Sequence, residues 1–229
     1  MSLLRNSWDK ESGAFSYDSA AKGGGTHGSV IPCLTGNMAW SLIRLGYVNA
    51  PQTRAAIQWL ARYQRFDDGI VQTPRGWPYD GFEMCWGRHS CFMGVVKTLK
   101  ALSAIPAKAR SKTVNQTIHR GAEFILAHHI HKRSHALDHM SRPGWLKLGF
   151  PHMYQTDILE ILLLLTGLGY RDPRMREAVA IVRSKRREDG RWQLEQTFND
   201  RFQKKIERKG EPSKWITARA MNMLKHCGD

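Results

Sequence analysis

The sequence predicts an all-α fold, an array of helical pairs, on three observations. Stretches with apolar residues at helical spacing recur along the chain, as in RAAIQWLARYQ and MREAVAIVRSKR. An acid–glycine turn pattern recurs with them: D-x-x-x-G-x-F at residues 9–15, DDGIV at 67–71 and EDGRW at 188–192. No segment sustains the period-two alternation of a half-buried strand.

Each turn glycine suits a tight reversal. An outer amphipathic helix precedes the second and third turns. A loop follows each turn, and then a second, more apolar helix. These inner helices are read at residues 34–45, 92–104, 155–168 and 215–224. Aligned on the closing Gly46 and Gly169, residues Cys33, Cys91 and Thr156 share one position. The third inner helix, ILEILLLLTGL, is apolar nearly all round and must be covered on most sides. The intervening loops are long and rich in Gly, Pro, Trp and His, which is unusual inside a compact domain unless the loops are functional. All lead into the starts of inner helices, so parallel inner helices would gather them on one face. The expected organisation is a single domain over residues 1–229, of roughly four helix-pair repeats, the first beginning part-way.

The chain is long enough to bury a core, and its 41% hydrophobic and 24% charged residues fit a soluble globular protein. The longest apolar run, residues 158–165, is too short for a bilayer. MSLLRNSWDKES has no apolar segment of signal-peptide type, so a cytoplasmic location is expected. The net charge of +15 would attract nucleic acid, anionic membrane or phosphorylated ligands. That charge is dispersed, densest in KRRED and RFQKKIERK, with neither a basic–aromatic alternation nor a recognition-helix signature, so nucleic acid is not the expected partner. Without an export signal, four cysteines do not suggest a disulfide framework. Cys227 matches nothing else in the pattern.

The other three cysteines fall into register. HGSVIPCLTG and CWGRHSCFMG read H-x5-C-x2-G and C-x5-C-x2-G, which places Cys33 on Cys91, Gly36 on Gly94 and His27 on Cys85. Thiolate and imidazole suit tetrahedral zinc, so His27, Cys33, Cys85 and Cys91 form a candidate zinc site with His89 in reserve. Cys33 and Cys91 would begin neighbouring helices with axes about 8–10 Å apart, whose positive ends would favour thiolates. Three thiolates and one imidazole make a closed, structural site; an exchangeable ligand would open it to activate a thiol or water. The alternative is that Cys33 and Cys91 are small core residues.

Further candidates lie on the same expected face. Asp157, followed by Glu160, is a candidate acid–base group, with His152 and Tyr154 lining the mouth; a carboxylate there also simply suits the helix dipole. Arg88, Lys147 and Lys214, at the starts of inner helices, would form an anion patch. Trp40, Trp77, Trp86, Trp145 and Tyr154 would line an apolar lumen, whereas Trp59 and Trp192 are read as repeat-packing residues. His128, His129, His131 and His135 follow GAEFILAHH, where His and Lys suit a helix C-terminus.

AAIQWLARYQRFDDG and AIVRSKRREDGRW resemble the Gln-Trp repeats of the squalene-cyclase and protein-prenyltransferase superfamily. PCLTGNMAWSLIRLGY, GFPHMYQTDILEILLLLTGLGY and PSKWITARAMNML resemble its inner barrel helices. The resemblance covers most of the chain and suggests a divergent, bacterial-type member. It implies an α/α toroid and a prenyltransferase- or terpene-cyclase-like protein, binding an isoprenoid diphosphate or other apolar ligand in a central cavity with zinc as cofactor. In that family aromatic rings stabilise cationic intermediates, a role the resemblance would extend to Trp40, Trp77, Trp86, Trp145 and Tyr154. The chain departs from the family at three points. It has no Asp-x-Asp-Asp acid motif, only Asp67 and Asp68 in a turn; it has no Asp-x-Cys; and it has fewer helix pairs than a full toroid. The fold would then be shortened, N-terminally incomplete or closed by self-association. The departures favour an alternative, a non-catalytic toroid that binds or scaffolds, with a structural zinc.

Overall fold

The computed structural model describes residues 6–227, and the start of the MSLLRNSWDKES segment, read above for a leader, lies outside them. The fold is all-α. Its helices are α1 (Pro32–Arg44), α2 (Pro51–Tyr63), α3 (Glu83–Trp86), α4 (Phe92–Ser103), α5 (Lys112–Ala127), α6 (Ile158–Gly167), α7 (Arg176–Ser184) and α8 (Lys214–His226). Two antiparallel ribbons accompany them, β1 (Lys132–Arg133) with β2 (Ala136–Met140) and β3 (Trp192–Gln193) with β4 (Pro212–Ser213), too short to carry a readable period. Among the described residues no helix is long and apolar enough to cross a membrane. The chain divides into two compact units between Phe124 and Ile125.

In the N-terminal unit, α1 begins at Pro32, which needs no hydrogen-bond acceptor for its missing N–H. It ends where Gly46 turns left-handed at φ 88°, with the N–H of Gly46 donating to Ile43 O (3.0 Å) and that of Tyr47 to Leu42 O (2.8 Å). Gly169, at φ 90°, closes α6 in the C-terminal unit with the same pair of bonds, Gly169 N–H to Thr166 O and Tyr170 N–H to Leu165 O (both 3.0 Å). The repeated Leu-Gly-Tyr is therefore one cap used twice.

Helix α1 packs mainly against α4 and next against α2. A Cβ at Gly36 would stand 2.5 Å from both the carbonyl carbon and oxygen of Lys97, and one at Gly94 would stand 3.1 Å from Pro32 Cβ. The glycine of each C-x2-G is thus where the two backbones come together, and that approach brings the paired cysteines to neighbouring helix starts. Helix α2 turns Thr53, Ala56, Trp59 and Leu60 inward and leaves Arg54 and Gln58 exposed, one buried face of an amphipathic helix. Trp59 and Leu60 join Phe15, Val30, Leu42 and Trp86 in the core, where each large side chain contributes roughly 1.5–3 kcal/mol of burial.

In the C-terminal unit, α6 is buried along most of its length and packs on α8 and α7. Trp192 is fully buried and donates from Nε1 to Val182 O (2.7 Å), in keeping with a repeat-packing role. After α5 the backbone turns left-handed at His129 (φ 42°) and Ile130 (φ 73°), with their N–H groups donating to Leu126 O (2.9 Å) and Ile125 O (3.2 Å). The histidine run thus supplies a helix C-cap, with His128 and His131 buried beside it.

Candidate functional site

Three elements of the N-terminal unit each deliver a cysteine to one place. Cys33 lies in the first turn of α1, Cys85 in the single-turn α3 and Cys91 at the N-cap of α4. Helix α3 is held by buried Trp86, whose ring meets Trp59 edge-on at 5.7 Å and Tyr79 at 5.4 Å. The Cys85 and Cys91 thiols share a hydrogen bond, and Cys33 lies near enough to act on both by charge. None of the three is joined in a disulfide.

Their protonation corrects one expectation. Positive helix ends predict easy thiolates, yet burial first, and then neighbouring Cys91, push Cys33 up to about 11. The N–H groups of Leu34 and Cys33 and the Lys97 charge pull the other way and lose. Cys85 is raised as well, by its bond to Cys91 first and burial second. Cys33 and Cys85 therefore hold their protons at neutral pH and are poor nucleophiles.

Sequence reasoning missed Lys97. It is 0% exposed in α4, and its charge reaches Cys33. Next to it Thr98 donates to Gln64 Oε1 (3.0 Å), another buried polar contact. The available signal was the single cation inside the apolar FMGVVKT, in the same helix as Cys91 and Gly94.

His27 is held by a carboxylate turn and an indole ring. Its Nδ1 lies 2.9 Å from Asp9 Oδ2 and its Nε2 3.6 Å from Glu11 Oε1; its ring stacks on Trp77 at 4.3 Å. Asp9 also accepts from the Ser12 N–H (3.0 Å) and hydroxyl (2.5 Å). Burial, the largest influence on Asp9, pushes its carboxyl up, but Ser12, His27 and the turn N–H groups together hold it below its ordinary value. His89 repeats the arrangement, with Nδ1 3.3 Å from Asp68 Oδ1 and its ring over Gly69. A carboxylate on Nδ1 is the arrangement that leaves Nε2 as the donor atom of a metal-binding histidine. Among the described residues, however, no group of three or more His, Cys, Asp or Glu side chains is already arranged to hold a metal ion. The structure associates Cys33, Cys85 and Cys91 and places His27 and His89 on the acid–glycine turns.

The second set lies in the C-terminal unit. Asp157 caps α6, accepting the Glu160 N–H at Oδ1 (2.7 Å) and the Gly149 N–H at Oδ2 (2.8 Å). His152 Nε2 lies 2.9 Å from the same Oδ2, and its Nδ1 lies 3.8 Å from Glu160 Oε1, all in buried surroundings. Burial, the largest influence on Asp157, raises its carboxyl, but His152, Arg219 and the Glu160 N–H together hold it below the usual carboxylate range. Tyr154 is half exposed, and Lys147, His152 and Asp157 line one small cleft. Trp145 is buried in this unit, as Trp86 is in the other. Of the expected anion patch, Arg88 belongs to the N-terminal unit, where its Nε donates to Gly69 O (2.9 Å). Lys147 and Lys214 belong to the C-terminal unit; the Lys214 backbone N–H donates to Glu207 (2.9 Å), and its ammonium sits 5.9 Å from the Trp215 ring centre. The chain matches no protein-family model and no curated protein sequence.

Proposed function

We propose that the N-terminal unit is a thiolate metal-binding module, with zinc bound by Cys33, Cys85 and Cys91 and with His27 or His89 as the fourth ligand. The observation that carries this reading is the meeting of three thiols from α1, α3 and α4, Cys33 buried and Cys85 and Cys91 half-buried, near the fully buried Lys97. Soft thiols in a shared, water-poor place suit zinc better than hard cations. Zinc would take the place of the thiol protons, three thiolates around it would carry one net negative charge, and Lys97 would offset that charge. Such an ion ties three elements together, so its role is structural, in a binding or scaffold protein. A reducing, cytoplasmic setting fits thiols that form no disulfide. For the wider fold, the helix pairs fit an α/α toroid or a shortened version of it.

The test is elemental mass spectrometry of protein purified without chelator under reducing conditions, beside Cys33→Ser and Cys91→Ser. The expected result is about one zinc per chain, lost in both variants. No metal in the parent protein would overturn the reading.

A second reading is a prenyltransferase- or cyclase-like protein that binds an isoprenoid diphosphate. It is favoured by the rings of Tyr63, Trp77, Tyr79 and Trp86, gathered edge to face with centroids 5.2 to 6.3 Å apart. Saturable tryptophan quenching by an isoprenoid diphosphate, weakened in Trp77→Ala, would support it. An unchanged signal would dismiss it.

A further inference from the structure

A cavity of about 450 Å³ in the C-terminal unit is lined by Arg171, Asp172, Met175, Arg176, Val179, Arg183 and Cys227 among others. That volume is in the range of small-ligand sites. Its floor is apolar, formed by the buried side chains of Met175 and Val179. Along α7, Arg176, Val179 and Arg183 follow each other at i, i+3 and i+7, so two guanidinium groups flank one apolar contact on a single helix face. Arg171 comes from the segment before α7, and its Nη1 is anchored on Thr166 O (3.2 Å) and Tyr170 O (2.7 Å).

The one acid in the lining does not cancel these charges. Asp172 is taken up by Arg174 in a two-pronged pair, Oδ1 to Nε (2.9 Å) and Oδ2 to Nη2 (2.7 Å), and that pairing holds its carboxyl down at about 2. Arg174 is outside the lining, whereas Arg171, Arg176 and Arg183 belong to it. Among the described residues neither Arg171 nor Arg176 makes an ion pair.

We propose that this cavity binds a small phosphomonoester or diphosphate, its anionic group held by Arg171, Arg176 and Arg183 and its apolar portion resting on Met175 and Val179. Guanidinium forks match phosphate oxygens two at a time, and their positive charge is already gathered before the ligand arrives. The proposal is independent of the thiol site.

The test is calorimetric titration with inorganic pyrophosphate at fixed ionic strength. We expect saturable binding of one pyrophosphate per chain, weakened about tenfold or more in Arg176→Gln and in Arg171→Gln. Lys209→Gln, an exposed cation outside the lining, should bind as the parent does. A second readout is alkylation of Cys227, followed by peptide mass spectrometry, which pyrophosphate should slow in the parent and not in Arg176→Gln. Absent binding, or equal weakening by Lys209→Gln, would overturn the proposal and leave only diffuse attraction to a basic surface.

Discussion

Residues at the start of α1 and the start of α6 lie at matched distances from the same glycine cap and resolve burial in opposite ways. Cys33 and Thr156 share a position, counted back from glycines that close both helices with the same cap. At α1 the buried ionisable group is a thiol, and at α6 it is the neighbouring carboxylate of Asp157. Burial raises the pKa of both. Cys33 has Cys91 beside it, a like charge on ionisation, so it remains neutral. Asp157 has an imidazole, a guanidinium and an N–H donor turned toward it, so it is held as a carboxylate. The partners decide the outcome, keeping one helix start neutral and the other ionised.

Removing the partner set should give the largest effect. Asp157→Ala strips the cap from α6 and leaves His152 and the Gly149 N–H without their shared acceptor, so we expect a loss of about 3–5 kcal/mol in urea unfolding. A loss below about 1 kcal/mol would mean that the buried pair adds nothing beyond an ordinary cap.

The helix approach at the thiol site comes next. Gly36→Ala forces a methyl group against the Lys97 backbone and should cost about 1–3 kcal/mol. Gly167→Ala, in the last turn of α6 where a Cβ meets nothing within 4 Å, should instead stabilise by up to about 1 kcal/mol. Equal effects at the two glycines would contradict the close α1–α4 contact.

The two regions should also fail at opposite ends of the pH scale. The folded-state value of Asp157 lies below its unfolded one, so its contribution is present above the ordinary carboxylate value of 3.8 and is lost as pH falls through the lower folded value. Cys33 is raised from 9.0 to about 11 when folded, so its contribution is complete below pH 9.0 and is lost as pH rises toward about 11. Chemical denaturation of metal-free protein across pH 8 to 11 should therefore show an alkaline decline that is shallower in Cys33→Ala. An identical decline in the variant would place the titrating group elsewhere.

Much of the frame was legible. The closing Leu-Gly-Tyr caps, the acid–glycine turns and the inner helices follow from local pattern. The register of Cys33 with Cys91 was readable because Gly36 and Gly94 repeat with them. Other features depend on residues far apart in sequence. Asp9 with His27 and Asp68 with His89 are contacts across loops, and no local period marks them. Lys97 reads locally as a cation on a helix, because its burial comes from packing between elements. Helix α5 was seen only in its apolar end, since KTVNQT carries no strong apolar stripe. The arginine cavity requires Arg171 to meet the face of α7, which spacing along one helix does not reveal.

The most direct test of the metal reading is a calorimetric zinc titration of the reduced protein at pH 7, repeated in two buffers of different ionisation enthalpy. Because Cys33 and Cys85 are protonated before metal arrives, the account predicts one zinc per chain, with proton release that falls in Cys33→Ser. Zinc binding with no proton release, or with the same release in Cys33→Ser as in the parent, would contradict it.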